Sequence, residues 1–246
     1  MRAPRRQRVP SGAVEQRTLI ITGASSGIGA QTARRAVEQG FRVVLAARRE
    51  EQLRSLAEEL GGADVAVPVR CDVTEWSDCE RLAEAALEAF GSFDSVFVNA
   101  GFGAKRGFLE ETPEFWRSMV LTNVLGAAYT IRATLPHILE RGTGHYLLTS
   151  SVAGRRALPG SLYSSTKWAV TGMGESLRRE LRTMHDNHRV RVTLIEPGMV
   201  DTPFFDQRPT SALEADDIAR AVLYALTQPE RVDVNEILIR PTAQEN

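Results

Sequence analysis

The chain has 246 residues, of which 43% are hydrophobic and 25% charged. That is the balance of a globular protein long enough to bury a sizeable core. Its net charge of −1 excludes an overall attraction to nucleic acid or to an anionic membrane. No apolar run reaches the roughly 18 residues of a membrane span. The two cysteines, Cys71 and Cys79, are too few for a disulfide framework or a zinc site.

Residues 1–15 begin MRAPRRQRVPSG, rich in Arg, Pro and Gly and without the apolar stretch of a secretory signal. They read as a disordered basic tail, with a cofactor-phosphate contact or organelle targeting as alternatives. Residues 16–246 read as one domain in which strands and helices alternate. TLIITG (18–23) is an apolar strand, followed by the helix AQTARRAVEQG (30–40) with its glycine stop. FRVVLAA (41–47) and REEQLRSLAEELGG (49–62) repeat the pattern. VAVPVRCD (65–72) is a third strand, and its Pro68 places it at a sheet edge. DCERLAEAALEAFG (78–91) is helical and FDSVFVNAG (93–101) is the fourth strand. A long helix is expected from about residue 113 to 140, with Thr112 as N-cap and Pro113 in the first turn. GHYLLTSS (144–151), RVRVTLIEPG (189–198) and NEILIRP (235–241) are the remaining strands. Helices over 164–181 and 215–229 separate them. Residues 202–216 lack periodicity and read as a mobile loop near a site. His185 and His188 stand three apart with no further ligand nearby, so they read as a solvated helix end and no metal site is expected. The alternation implies parallel βαβ units with right-handed crossovers, and the continuous apolar strands imply a sheet covered on both faces.

The loop after the first strand, TGASSGIGA, carries glycines at 23, 27 and 29 with Ser25, Ser26 and Ile28 between them. Gly23, Gly27 and Gly29 form G-x-x-x-G-x-G rather than the usual G-x-G-x-x-G, but the physics is shared. Glycine permits a tight turn and close backbone approach to a phosphate, and the following helix N-terminus favours its negative charge. The second strand ends without the acidic residue that binds a ribose 2′-hydroxyl; Arg48 and Arg49 follow Ala47 instead. A guanidinium fork accepts a 2′-phosphate that a carboxylate would repel, so NADP(H) is preferred over NAD(H). Glu50 and Glu51 follow closely and are possible partners for that pair.

Lys105 and Lys167 are the two lysines among 30 basic residues. On a helix Lys167 shares a face with Tyr163, one turn away. A free phenol, with a pKa of about 10, is a poor proton carrier near neutral pH. A nearby ammonium is expected to lower that pKa. Ser151, at the end of the fifth strand, could bond a carbonyl oxygen as charge develops on it.

With these residues in place the chain resembles the short-chain dehydrogenase/reductase family from about residue 17 to 242. The family's T-G-x-x-x-G-x-G matches Thr22, Gly23, Gly27 and Gly29, and its acid after the third strand matches Asp72, followed by Val73. Its N-N-A-G motif matches Asn99, Ala100 and Gly101, with Val98 in place of the first Asn. Its helix asparagine matches Asn123, its serine and Y-x-x-x-K match Ser151, Tyr163 and Lys167, and its P-G motif matches Pro197, Gly198 and Thr202, with Val200 between. The family's commonest Ser-to-Tyr spacing would choose Ser150, while its S-x-x-G pattern, here SVAG, chooses Ser151.

The resemblance implies a doubly wound Rossmann-type fold, with a seven-stranded parallel sheet in the order 3-2-1-4-5-6-7 and helices on both faces. It implies NADP(H)-dependent hydride transfer between nicotinamide and a carbonyl or alcohol carbon. The substrate class is an aldehyde, a ketone or a 3-hydroxy acid; the last strand resembles bacterial dehydrogenases of such acids. Tyr163 is the general acid or base, Ser151 polarises the carbonyl, Lys167 holds the ribose, and Asn123 orders a water linked to Lys167. Reduced thiols and the lack of a targeting signal fit a cytoplasmic protein, and a homodimer or homotetramer is expected by analogy with the family. A catalytically silent NADP-binding regulator on the same fold is the alternative. In the candidate lid segment Phe204 and Phe205 are apolar lid residues or core and Arg208 is a candidate carboxylate binder, while Phe102, Phe108 and Trp116 are wall or core.

Overall fold

Alternate residues of the central strands point to opposite faces, and both faces are apolar. Leu19 and Ile21 of the first strand join one buried cluster, while Ile20 between them joins the other. This period of two, with helices on each side, makes the strands read as unbroken hydrophobic runs. Each such side chain, fully removed from water, contributes about 1.5–3 kcal/mol.

The computed structural model describes residues 16–203 and 211–244. The basic tail and the lid candidates Phe204, Phe205 and Arg208 lie outside the described residues. The elements run β1 (Thr18–Thr22), α1 (Gly27–Glu38), β2 (Arg42–Ala47), α2 (Glu50–Glu59), β3 (Ala66–Arg70), α3 (Trp76–Phe90) and β4 (Ser95–Val98). Then come α4 (Pro113–Val120), a π-helical turn (Leu121–Gly126), α5 (Ala127–Arg141), β5 (Gly144–Thr149), α6 (Leu162–Thr183) and β6 (Val190–Pro197). Two short strands, β7 (Val200–Asp201) and β8 (Leu213–Glu214), precede α7 (Ala215–Thr227) and β9 (Glu236–Ile239).

The main sheet has seven strands in the order β3-β2-β1-β4-β5-β6-β9, and every pairing is parallel. This is the expected order, β9 being the seventh strand of the sheet. β3 lies at the edge, where the missing N–H of Pro68 costs least. Helices α1, α2 and α7 cover one face; α3, α5 and α6 cover the other. The strand order reverses between β1 and β4, which puts the ligand crevice of such folds at their carboxyl ends.

Three elements differ from the sequence reading. The expected long helix contains the π-helical turn Leu121–Gly126, with Asn123 inside it. Thr112 caps α4 as expected, accepting from the Phe115 amide at 3.2 Å. Helix α6 starts at Leu162 rather than Ser164, because Ser161 caps it by accepting from the Ser164 amide at 3.3 Å. Tyr163 is therefore inside the helix. In the segment read as a loop, Leu213 pairs with Val200 and Glu214 with Asp201, which closes it against the strand end.

Candidate active site

The carboxyl ends of three strands are tied together by short polar side chains. Thr22 Oγ1, at the end of β1, accepts from the amides of Asn99 at 2.9 Å and Ala100 at 3.1 Å. Asn99 Nδ2 donates to Thr22 O at 3.1 Å, and Thr149 Oγ1, at the end of β5, donates to Asn99 Oδ1 at 2.9 Å. Val98, the departure from the family motif, packs into the core instead.

These bonds bring the glycine loop against β4. Gly23 takes φ +68, and a Cβ there would meet Ala100 Cα at 3.0 Å. A Cβ on Gly29 would fall 2.4 Å from Gly23 O, so only glycine lets α1 begin this close to the turn. Ser26, the N-cap of α1, makes no side-chain cap, so the first amides of the helix keep their donors for a ligand. An oxyanion such as a cofactor phosphate fits this cradle.

Around the loop opens a cavity of about 530 Å³. Of the sequence-predicted residues it is lined by Gly23, Ser25, Ser26, Gly27, Ile28, Arg48, Arg49, Asp72, Val73, Asn99, Ala100 and Gly101. Ser151, Tyr163, Lys167, Pro197, Gly198, Val200 and Thr202 line it too. Gly29 and Asn123 stand behind the wall and act through their neighbours.

Arg48 and Arg49 play different parts. Arg49 reaches the glycine loop: Nη2 donates to Ser25 Oγ at 2.9 Å and to Ser26 Oγ at 2.6 Å. Arg48 is largely exposed and stands 4.0 Å from Asp72 Oδ2. Glu50 pairs with Arg54 at 2.5 Å rather than with either of them. Asp72 is also held by its own turn, accepting from Thr74 N at 3.1 Å and Thr74 Oγ1 at 2.9 Å.

The two adjacent serines face different partners. Ser150 Oγ donates to Lys167 O at 3.0 Å and meets Thr171 Oγ1 at 2.7 Å, which ties β5 to α6. Ser151 Oγ accepts from Ala153 N at 3.1 Å, reaches Pro197 O at 3.3 Å and is hydrogen-bonded to the Tyr163 hydroxyl. Lys167, 4% exposed, donates from Nζ to Thr149 O at 2.8 Å. Its Nζ stands 5.6 Å from the centre of the Tyr163 ring.

Burial governs the titration of both groups. It pushes the Tyr163 phenol up to about 12, and the Ser151 bond draws it only partly back. It pulls the Lys167 ammonium down to about 8. The lowering expected from Lys167 does not set the direction: burial disfavours the phenolate, and the Ser151 bond is what opposes it. A phenol in this state holds its proton at neutral pH and can donate it.

The Asn123 side chain bonds the Phe102 backbone and the Thr166 hydroxyl. Its Oδ1 accepts from Phe102 N at 3.0 Å, and Nδ2 donates to Phe102 O at 2.9 Å and Thr166 Oγ1 at 3.1 Å. The amide thus clamps the segment after β4 to α6, and the π-helical turn aims it there. Such turns recur at functional positions in helices. Sequence reasoning missed Thr149, Arg106 and Gln244, which also line the cavity. Gln244 Oε1 accepts from Met199 N at 2.9 Å, and a Cβ on Gly198 would fall 2.2 Å from it. Thr149 was visible as a hydroxyl at a strand end; nothing local marks Gln244. Among the described residues no group of three or more His, Cys, Asp or Glu could hold a metal ion.

Comparison with known proteins identifies the family. A family model described as short chain dehydrogenase matches residues 17–212. An uncharacterized oxidoreductase of Staphylococcus epidermidis is 38% identical over 234 residues, covering 93% of this chain and 98% of the relative. An alcohol dehydrogenase of Thermococcus sibiricus, solved with 5-hydroxy-NADP, superposes with a TM-score of 0.83 at 31% identity, covering 94% of this chain and 99% of that one. A 3-ketoacyl-(acyl-carrier-protein) reductase of Brucella melitensis, solved with NADH, gives 0.84 at 28% identity, covering 94% and 99%. The cradle, the strand order and these matches agree, and the chain belongs to the short-chain dehydrogenase/reductase family of oxidoreductases.

Proposed function

We propose that the protein reversibly reduces a carbonyl compound, an aldehyde, ketone or 3-oxo acid, to its alcohol, with NADP(H) preferred over NAD(H). The observation that carries the reading is the hydrogen bond between Tyr163 and Ser151 on the wall of the cavity that also contains the uncapped glycine loop. Bound nicotinamide would supply or accept the hydride. Gly23, Ser25, Ser26, Gly27 and Ile28 would hold its phosphates. Arg49, poised against Ser25 and Ser26, would take a 2′-phosphate, with Arg48 beside it. The T. sibiricus relative binds an NADP analogue, whereas the Brucella relative binds NADH. The Arg pair and the absence of an acid at the end of β2 decide our preference between them.

In the reductive direction Ser151 and Tyr163 bond the carbonyl oxygen. Tyr163 gives its hydroxyl proton to that oxygen as charge builds there, and the oxygen, still bonded to its carbon, becomes the alcohol hydroxyl. The buried Lys167 ammonium stabilises the phenolate left behind. Asn123 keeps the Phe102 segment in register with α6. By family likeness we read the protein as a cytoplasmic homodimer or homotetramer. No helix among the described residues is long and apolar enough to cross a membrane.

The test is NADPH oxidation, followed by absorbance, over a panel of aldehydes, ketones and oxo acids. Tyr163→Phe should lose about 10²- to 10⁴-fold in kcat, the worth of a positioned general acid, while binding NADPH as wild type does. A variant as fast as wild type would refute the assignment. No turnover of any carbonyl by the wild type would favour a silent cofactor-binding regulator.

A further inference from the structure

The cavity wall around Tyr163 differs from the wall around the glycine loop. Phe102, Val152, Leu158 and Met199 make it apolar, and Arg106 is its one surface-facing charge. The loop carrying Arg106 is anchored on both sides. Gly107 N donates to Gly160 O at 2.8 Å, three residues before Tyr163, and a Cβ on Gly160 would fall 2.8 Å from Gly107 Cα. Toward α4, Phe102 stacks edge-on with Phe115 at 5.4 Å and Phe108 with Trp116 at 6.0 Å. Arg106 is thus presented beside the proposed acid from an anchored backbone.

The other charges of the cavity are accounted for. Lys167 is buried and bonded to Thr149 O. Arg48 faces Asp72, and Arg49 faces Ser25 and Ser26. Asp72 is the one acid among the lining residues. Arg106 makes no ion pair or side-chain hydrogen bond with any described residue, although it lines the cavity. A guanidinium fork in an apolar wall matches the two oxygens of a carboxylate or phosphate and selects for them.

We propose that Arg106 binds an oxyanion on the substrate, so that the preferred substrate is a small carbonyl compound bearing a carboxylate or phosphate. The proposal rests on the carbonyl-reducing function above and narrows it. Matched pairs test it: succinic semialdehyde against its methyl ester, and glyceraldehyde 3-phosphate against glyceraldehyde. In the wild type the anionic member of at least one pair should have the higher kcat/KM, and the pair that shows it identifies the head group. Arg106→Gln should shrink that preference by about 10- to 100-fold, the worth of one charge-assisted hydrogen bond, mainly through KM. Arg106→Lys should restore part of it. Thermal melting of both variants should match the wild type. If the wild type reduces the uncharged members as well as the anionic ones, or if Arg106→Gln keeps the preference, Arg106 is not a substrate ligand and the carbonyl-reducing function stands. Failure to reduce any of the four compounds, or any other carbonyl, overturns that function and the proposal with it.

Discussion

Replacing Lys167 by arginine keeps the charge and changes the shape and the titration of the head group. The lysine ammonium sits 2.8 Å from Thr149 O, in a position 4% exposed. A Cβ added to Gly101 would lie 3.7 Å from Nζ, so the Gly101 backbone closes one side of the ammonium. A planar guanidinium brings two more heavy atoms into this enclosed position. Overpacking of that kind costs about 1–3 kcal/mol, which is about 5- to 150-fold if it falls on the transition state. The titration differs too. Burial brings Lys167 down to about 8, whereas arginine stays charged at any accessible pH. Lys167→Arg should therefore lose at least about fivefold in kcat/KM for carbonyl reduction. Its melting temperature should fall by about 2–4 °C for each kcal/mol that appears as instability instead. Initial rates with saturating NADPH, cofactor binding by fluorescence quenching and a thermal melt separate the two outcomes. Turnover within twofold of wild type, with an unchanged melt, would refute the claim that this site needs a compact ammonium.

Arg49→Ala should weaken NADPH binding by about tenfold or more, the loss of a charge-assisted contact, and leave NADH binding nearly unchanged; equal losses for both cofactors would remove Arg49 from the 2′-phosphate site. Gly29→Ala should abolish cofactor binding and lower the melting temperature, because its Cβ would fall 2.4 Å from Gly23 O; a soluble variant with normal NADPH affinity would contradict the close-approach argument. His145 is buried, bonds Thr193 Oγ1 at 2.7 Å, and leaves Nδ1 without a partner. Burial, with Arg191 nearby, holds its pKa well below 6.5. Above pH 6.5 the ring is neutral in both folded and unfolded chains. As pH falls below 6.5 the unfolded chain takes up a proton that the folded protein refuses, so stability falls by up to about 1.4 kcal/mol per pH unit. Urea unfolding at pH 7.5, 6.5 and 5.5 should show a shallower decline for His145→Asn than for wild type, and parallel declines would exclude His145 as a source.

Much of the fold and part of the site were legible in the residues themselves, because local physics decides them. Unbroken apolar strands alternating with amphipathic helices leave a parallel sheet covered on both faces as the way to bury both patterns. Pro68 marked an edge strand because a missing N–H is cheapest there. Gly23 after β1, with Gly27 and Gly29 at the start of α1, marked a phosphate cradle, and the four-residue spacing of Tyr163 and Lys167 put them on one helix face. Tertiary structure alone decided the rest. Ser150 and Ser151 are chemically identical neighbours; successive residues at a strand end point to different sides, and only the packing of α6 gives Lys167 O to one and Tyr163 to the other. Hydrophobic periodicity does not report the extra backbone residue of a π-helical turn, so the clamp that Asn123 places on Phe102 was invisible. The composition of the second strand suggested an Arg fork, but which arginine reaches Ser25 depends on where α2 sets its first turn. The phenol of Tyr163 rose instead of falling because burial, a property of the whole packed crevice, disfavours the phenolate. Arg106, through the bond of its neighbour Gly107 to Gly160, and Gln244, through its bond to Met199, entered the cavity wall from more than forty residues away. Local propensity carries no information about such meetings, because it is the folded sheet that creates them.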